Sequence, residues 1–546
     1  MEFNLADLFE STVDNFGDRE YLVAGDKSCS YAEMEARANR LAHFLGSKGV
    51  GPGDHVGIYA YNCMEWVETL WAVFKLRAVW VNINYRYVEE ELAYLFENAD
   101  LKALVFAREF TERVAAVVGA MPKLEFSVVL DDSSDADLSA LQPAPTEYEE
   151  AMALGSPERD FEPRSADDHY ILYTGGTTGM PKGVVWRHED VFFALGGGND
   201  PQTDERATRP EVMVERARAA GAQSVQLPIA PLMHGATQWS VMGGSFMGRK
   251  IVLLANFEPD EVWRLVEEYK VDTVMITGDA MGRPLIEALD APETERDLSS
   301  MFVLVSTAAV FSPTVKDRFF DRFPDLIIID SIGSSESGNN GMAMITKGHT
   351  AMTGGGPTVK AGPNTVVLDA ETLEAIPAGS ETIGKVGRSG DIPLEYYKDP
   401  VKSAETFVTG ADGRRYSIPG DFARHESDGT ITLLGRGSVS INSGGEKIFP
   451  EEVEAAVKSH PDVFDCIVVG TPDDRFGSRV SAVVAPRRDK EPSLESIQEQ
   501  CRTKIAGYKI PRELHLVEEL VRAPSGKPDY RWAKELAFGR RGLSVS

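Results

Sequence analysis

Cysteine is scarce. The four in 546 residues, Cys29, Cys63, Cys466 and Cys501, lie far apart and without metal-ligand spacing. This excludes a disulfide framework and a cysteine-rich metal site, and single buried thiols account for them. Long apolar runs are also missing: none approaches the roughly 18 residues of a membrane-crossing helix. MEFNLADLFE lacks the basic start and apolar stretch of a signal peptide. A cytoplasmic location with no integral membrane part is therefore expected. Positive charge is in deficit as well, with 56 Lys and Arg against 85 Asp and Glu, a net charge of −29. That balance argues against nucleic acid or an anionic membrane as the main partner. The deficit is uneven, because residues 436–546 carry 18 basic against 17 acidic side chains and residues 1–435 carry 38 against 68.

What the chain does have is size and alternation. At 546 residues and 42% hydrophobic it exceeds what one core serves, so two or more domains are expected. SYAEMEARANRLAHFLGSKG reads as a helix with a capping box at Ser30 and Glu33, running through Leu41 and Leu45 and stopping near Gly49. DHVGIYA, KALVFA, YILYT, KIVLLA, VDTVMIT, FVLVST and DLIIID read as short strands, most of them separated by helical patterns such as EPDEVWRLVEEYK. Such alternation predicts α/β layers whose ligands sit in Gly-, Ser- and Thr-rich loops at strand ends. Residues 197–223 are polar and read as an exposed excursion with one helix. Near Gly435 the pattern changes to strand, helix and strands, a compact α+β unit of about a hundred residues. The expected fold class is α/β, with a large N-terminal multi-layer α/β domain over 1–435 and a small α+β C-terminal domain over 439–546.

YTGGTTGMPKG, Tyr173 to Gly183, is built from glycine and threonine around one lysine. Glycine permits backbone angles that turn successive N–H groups onto one anion, while Thr174, Thr177 and Thr178 add hydroxyl donors and Lys182 adds charge. A polyphosphate suits such a loop. The common ATP-hydrolysis loop requires Gly-Lys-Ser/Thr after a glycine and four residues, and no frame here supplies it, since Pro181 precedes the lysine and Gly183 follows it. By itself a Gly- and Thr-rich stretch is more often an ordinary turn.

Together with DSIGSSESG, YSIPGD, GRGSVSINSGGEKIFPEEVE and APSGKPDY, in that order, this loop gives the chain a resemblance to the adenylate-forming superfamily of acyl-CoA synthetases, adenylation domains and firefly luciferase. The resemblance covers essentially the whole chain. It implies two steps: a carboxylate attacks the α-phosphate of ATP to give acyl-AMP and pyrophosphate, then the CoA thiol attacks the acyl carbon and releases AMP. A carboxylate is a poor acyl donor, so the chemistry needs a pyrophosphate cradle, a cation and fixed positive charge. The resemblance assigns the β and γ phosphates to Thr174, Gly175, Gly176, Thr177, Thr178, Gly179 and Lys182. It assigns the nucleotide to Ala308 and Ala309 and to Asp330, Ser331, Ile332, Gly333, Ser334 and Ser335. Glu336, with Thr177, is implied to hold Mg²⁺, Asp421 the ribose hydroxyls, and Arg436 a phosphate or ribose oxygen. Residues 436–438 are implied to be a hinge to a small mobile domain. Lys527 would bridge the carboxylate and the α-phosphate, and rotation would then bring Gly444, Gly445 and Lys447 to the acyl-AMP. This chain departs from the superfamily at Gly175, where Ser is more usual, and at Ile332, where an aromatic often stacks on adenine. It departs again at Val310, where proline is common, at Ser335, where Thr is usual, and at Ser438, where Asp or Lys is more common.

The acyl group is expected between PLMHGATQW and TGDAM, near His234, Gly235, Trp239, Gly278 and Met281. His234 is counted with Lys527, Thr177 and Glu336 as a catalytic candidate because its ring can donate to the carboxylate, although a lone histidine is more often structural. Methionines at 233, 242 and 281 suit a bulky apolar guest. The motif blocks look most like those of actinobacterial ligases for fatty acids and steroid side chains. The implied partners are ATP, CoA and a hydrophobic carboxylic acid, with a homodimer left open. Three alternatives remain: a ligase that loads a carrier protein, a luciferase-like oxygenase, and a nucleotide-binding regulator without turnover.

Overall fold

The computed structural model describes residues 2–539 apart from 88, 120, 122, 175–179, 196–197, 200–204, 291–295, 349–355, 444–445, 474–475 and 524–525. Two compact units emerge, one from Met1–Met275, Glu293–Met301 and Asp391–Phe407, the other from Ile276–Pro292, Phe302–Gly390 and Val408–Ser546.

The first unit is built on an eight-stranded sheet. Its strands run in the order Glu395–Tyr396, Lys182–Arg187, His169–Thr174, Val79–Asn82, His55–Tyr59, Leu101–Ala107, Phe126–Leu130 and Thr146–Glu147. From His169–Thr174 to Thr146–Glu147 every pairing is parallel, whereas Lys182–Arg187 returns antiparallel to His169–Thr174. His55–Tyr59 is buried along its whole length, as a strand covered on both faces must be, and this is why its sequence shows no polar alternation. The helices Tyr31–Ser47 and Met64–Lys75 pack together beside this core, which holds Trp66, Trp71, Trp80 and Trp186. The first of them starts where the capping box predicts: the Ser30 side chain accepts the Glu33 N–H and the Glu33 carboxylate accepts the Ser30 N–H. Between these helices and the N-terminal helix Leu5–Phe16, the buried ammonium of Lys75 lies 2.5 Å from Glu10 and 2.8 Å from Glu35, and Arg164 and Arg159 pair with the same two carboxylates, so the charges enter the core as a paired network.

A second set of strands in this unit joins Glu20–Ala24, Lys250–Leu253 and Val225–Pro228 in parallel. The polar stretch expected to be an exposed excursion is not wholly exposed. Its helix, Val212–Ala219, buries Met213, Val214 and Ala217, and Val214 and Ala217 pack against Phe16.

In the second unit Val303–Ser306 pairs in parallel with Ile327–Ser334, and antiparallel strands follow through Gly338–Ile345, Thr358–Ala361, Thr430–Arg436, Asp421–His425 and Ile383–Ser389. Residues 441–537 form two hydrophobic clusters drawn only from themselves, one centred on Val453, Val468 and Val484, the other on Ile467, Val483 and Ala533. These clusters lie around a three-stranded sheet of Val463–Asp473, Gly477–Pro486 and Glu513–Leu516, which carries the helices Pro450–Lys458, Leu494–Arg502 and Tyr530–Gly539. No helix among the described residues is long and apolar enough to cross a membrane.

Candidate functional site

In the first unit the buried strand His169–Thr174 ends at the expected phosphate loop, of which Gly175, Gly176, Thr177, Thr178 and Gly179 lie outside the described residues. Lys182 and Gly183 belong to the next strand rather than to a loop, because Thr174 pairs with Lys182 and Tyr173 with Gly183 across an antiparallel ladder. The Lys182 ammonium is ion-paired with Asp399. That pairing, ahead of all other causes, holds the Asp399 carboxyl below the usual carboxylate range. Asp399 also caps the helix Pro400–Thr406, its side chain accepting the Lys402 N–H at 3.0 Å. Asp399 is 217 residues from Lys182 and carries no local motif, so nothing in the sequence singles it out.

His234 begins the helix Gly235–Phe246, its carbonyl accepting the N–H groups of Thr237 and Gln238 at 3.1 and 3.2 Å. A Cβ on Gly235 would lie 2.5 Å from Leu172 Cδ2, so a larger residue here must displace that side chain or the helix from the strand His169–Thr174. Trp239 is half-buried and stands edge-on to Trp186 with ring centroids 6.5 Å apart.

The second unit holds the remaining candidates. Asp330 to Ser334 form the end of the strand Ile327–Ser334, not a loop after it. The chain turns back at once into Gly338–Ile345, with Ser334 opposite Gly338, and this places Ser335 and Glu336 at the tip of a tight hairpin. Gly333 permits the closure, since a Cβ there would lie 2.3 Å from the Gly338 carbonyl. Ser417 donates to the Glu336 carbonyl at 2.5 Å and so fixes the tip. Ser331 lies 3.5 Å from Asn339, and Ile332 is buried. Asp330 is buried and ion-paired with Lys316; burial pushes its carboxyl up, and Lys316 opposes that rise.

Ala308 has φ +65°, a left-handed conformation in a non-glycine residue, and Ala309 follows it with an N–H to Thr307 contact of 2.8 Å. Gly278 (φ +56°) packs against this segment, where a Cβ would lie 2.4 Å from the Val310 carbonyl oxygen. Met281, on the helix Gly278–Ala288, is buried. Asp421 and Arg436 face each other across paired strands, with Arg436 Nε 3.1 Å from Asp421 Oδ1.

Lys527 is exposed as a residue, yet desolvation by the surrounding protein and, second, the Arg436 guanidinium push its ammonium below the usual lysine range, while Glu336 and Asp421 pull it up. Lys527, Arg436, Glu336 and Asp421 thus share one electrostatic neighbourhood. The loop that carries Lys527 is held by Arg522, which donates to the Gly526 carbonyl at 2.9 Å and grips Asp465 with two bonds of 2.7 and 2.8 Å. Gly526 itself (φ +73°) presses on Thr277, 2.7 Å from where a Cβ would stand. Gly444 and Gly445 lie outside the described residues. So do the side chains of Lys447 and Ser438, although the Lys447 backbone pairs with Asn442.

The arrangement joins a carboxylate at a hairpin tip, an Asp–Arg pair and a lysine cation, a set suited to a nucleotide with a reacting phosphate. Comparison with known proteins agrees with that chemistry. Residues 9–392 match the AMP-binding enzyme family and residues 452–527 match the AMP-binding enzyme C-terminal domain. The chain is 52% identical to a 3-oxocholest-4-en-26-oate–CoA ligase of Rhodococcus rhodochrous over 98% of its own length and 96% of that protein's. It is 50% identical to a medium/long-chain-fatty-acid–CoA/3-oxocholest-4-en-26-oate–CoA ligase of Mycolicibacterium smegmatis, covering 99% and 97% of the two chains. Its fold matches ATP-bound MatB from Rhodopseudomonas palustris with a TM-score of 0.81 at 22% identity, over 98% and 99% of the two chains. This chain therefore belongs to the AMP-binding enzymes, in their acyl-CoA ligase branch.

Proposed function

We propose that the chain joins a medium- or long-chain fatty acid, or a steroid side-chain carboxylate, to CoA in the cytoplasm, through acyl-AMP and with release of pyrophosphate and then AMP. The observation that carries this reading is the shared neighbourhood of Lys527, Arg436, Glu336 and Asp421, which brings together residues spread over about 190 positions of sequence in one unit. The carboxylate substrate is itself the nucleophile, so no general base is required. What the protein must supply is stabilisation of charge that shifts from the acid oxygen to the α-phosphate.

Lys527 meets that need with an ammonium whose charge the surrounding protein and Arg436 disfavour and Glu336 and Asp421 support, so that negative charge developing beside it would be bound firmly. Asp421 can accept two hydrogen bonds from a cis diol, and its pairing with Arg436 fixes its orientation for the ribose. Lys182 takes the β and γ phosphates, and His234 donates to the substrate carboxylate. Among the described residues no three His, Cys, Asp or Glu side chains gather as a metal site. Mg²⁺ would be held by Glu336, with Thr177, and otherwise by phosphate oxygens, and would supply charge neutralisation there. Residues 436–438 serve as the hinge between domains spanning 1–435 and 439–546.

A pyrophosphate-release screen of the purified chain against acetate, benzoate, decanoate, palmitate and 3-oxocholest-4-en-26-oate, with thioester formation followed on free CoA, tests the reading. Turnover of the long or steroid acids with thioester product is expected. Turnover of only acetate or benzoate refutes the substrate class. Acyl-AMP that accumulates with CoA present refutes the acceptor in favour of a carrier protein, and light emission would place the chain with the oxygenases.

A further inference from the structure

Two asparagines that no motif includes lie deep in the first unit, and each spends both N–H donors and its carbonyl oxygen on backbone. Asn62, 7% exposed, accepts the Leu232 N–H at 2.6 Å and donates to the carbonyls of Leu254 and Ala230 at 2.9 and 3.4 Å. Asn82, 2% exposed, accepts the Tyr173 N–H at 2.8 Å and donates to the carbonyls of Tyr173 and Met233 at 2.9 and 2.7 Å. A primary amide has one acceptor group and two N–H donors, so no other side chain of this size reproduces either pattern.

The position of Asn82 explains its pattern. The parallel ladder between Val79–Asn82 and His169–Thr174 sets Trp80 opposite Tyr170 and Val81 opposite Ile171. One step further on, the Asn82 side chain stands in for backbone, satisfying both polar groups of Tyr173 where the strand leads into the phosphate loop. Its remaining N–H reaches across to Met233, the residue before His234. Asn62 holds the same segment at Ala230 and Leu232, and a 3.0 Å bond from the His234 N–H to the Pro231 carbonyl closes the turn between.

We propose that Asn82 and Asn62 are positioning residues for acyl-AMP formation. They form a clamp in which Asn62 sets the segment leading to His234 and Asn82 ties that segment to the strand end that opens the phosphate loop. The proposal rests on the reading that phosphates bind at 174–182 and the substrate carboxylate near His234. Its consequence is asymmetric. Losing Asn62 loosens the carboxylate side alone, whereas losing Asn82 loosens both sides.

The test is steady-state pyrophosphate release by the full chain with ATP and the better of dodecanoate and 3-oxocholest-4-en-26-oate, on Asn62→Ser, Asn82→Ser and Asn82→Asp. Asn62→Ser is expected to raise KM for the acid about five- to tenfold, the scale of a lost hydrogen bond, with KM for ATP within about twofold of the parent. Both Asn82 variants are expected to raise both KM values by at least about fivefold. Equal shifts of both KM values in all three variants, or a fall in kcat alone, overturn the clamp. If the Asn82 variants do not fold, hydrogen exchange of Asn62→Ser decides: faster exchange confined to residues 230–234 supports the clamp, and faster exchange across 169–187 as well overturns it. Lys182→Ala and His234→Ala calibrate the two axes. If they leave KM for ATP and for the acid unmoved, the site assignment fails; if they respond and the asparagine variants do not split, only the clamp fails.

Discussion

Replacing Arg522 with lysine is the most informative single perturbation of the Lys527 loop, because it keeps the charge and removes the geometry. The guanidinium makes two bonds to Asp465 and one to the Gly526 carbonyl, with both side chains about 15% exposed. Burial opposes ionisation of Asp465, and Arg522 outweighs it, leaving that carboxyl below its usual range. A lysine ammonium is a point donor that cannot span both partners, so Asp465 keeps a counter-charge while Gly526 loses its anchor. A hydrogen bond from a charged donor contributes about 1.5–3 kcal/mol. If all of that falls on the transition state, acyl-AMP formation slows by roughly 10- to 10²-fold. Loss of the ammonium itself in Lys527→Ala should cost more, roughly 10²- to 10³-fold.

The assay compares two half-reactions: pyrophosphate release from ATP and acid, and thioester formation from supplied acyl-AMP and CoA. Arg522→Lys should slow the first and leave the second within about twofold, with Lys527→Ala showing the same pattern more strongly. Equal loss of both half-reactions would refute the positioning argument and leave only a structural role for the Arg522–Asp465 pair. An unchanged first half-reaction would show that Gly526 holds Lys527 without its anchor.

Three further outcomes follow from the packing. Burial pushes the Glu451 carboxyl up to about 8, with Glu454 and Asp421 adding repulsion and backbone contacts at Glu451 and Arg436 opposing it. Because the folded value lies above the unfolded one, its contribution is complete below about 4.5 and is lost as pH rises through 8. Glu451→Gln should therefore flatten the decline in Tm between those limits, and parallel Tm curves for the two proteins would contradict the assignment. Ala308→Gly relieves a left-handed alanine worth about 1–2 kcal/mol and loses about 0.4–1 kcal/mol through the freer unfolded chain, so denaturant titration should show a net gain of about 0.5 kcal/mol. A loss of stability would mean the turn is not strained. Gly235→Ala must move Leu172 or the helix, and it should raise KM for the acid several-fold while KM for ATP changes less; an unaltered KM for the acid would detach this helix from substrate binding.

Local rules reached far in this chain. The capping box at Ser30 and Glu33 starts a helix where it should, the apolar runs YILYT and KALVFA lie in strands, and DLIIID enters one at Ile327. The rules faltered where chain direction matters. A Gly-rich stretch after a strand suggested a loop through Gly183, but Lys182 already lies in a returning strand, and Asp330 to Ser334 prolong a strand that was expected to end. An apolar period says where a strand runs, while the residue at which it turns back depends on the register of a partner strand. The polar stretch around Val212 hid a three-residue apolar face too short to read as a period. Asp399, Asn62, Asn82 and Arg522 could not be found at all, because each gains its meaning from a partner dozens to hundreds of residues away, and a buried amide looks no different in sequence from an exposed one.

The pairing of Lys182 with Asp399 gives the proposed phosphate-binding lysine an incumbent anion. Any anion that approaches that lysine competes with a carboxylate that is tethered beside it and cannot diffuse away, so a weakly held monovalent ion gains little there. A polyphosphate offers several oxygens at once and can outbid the tether. If phosphates bind here as proposed, the ion pair sets an entry threshold that ordinary monovalent salts do not clear, and it keeps the lysine in register for a polyphosphate.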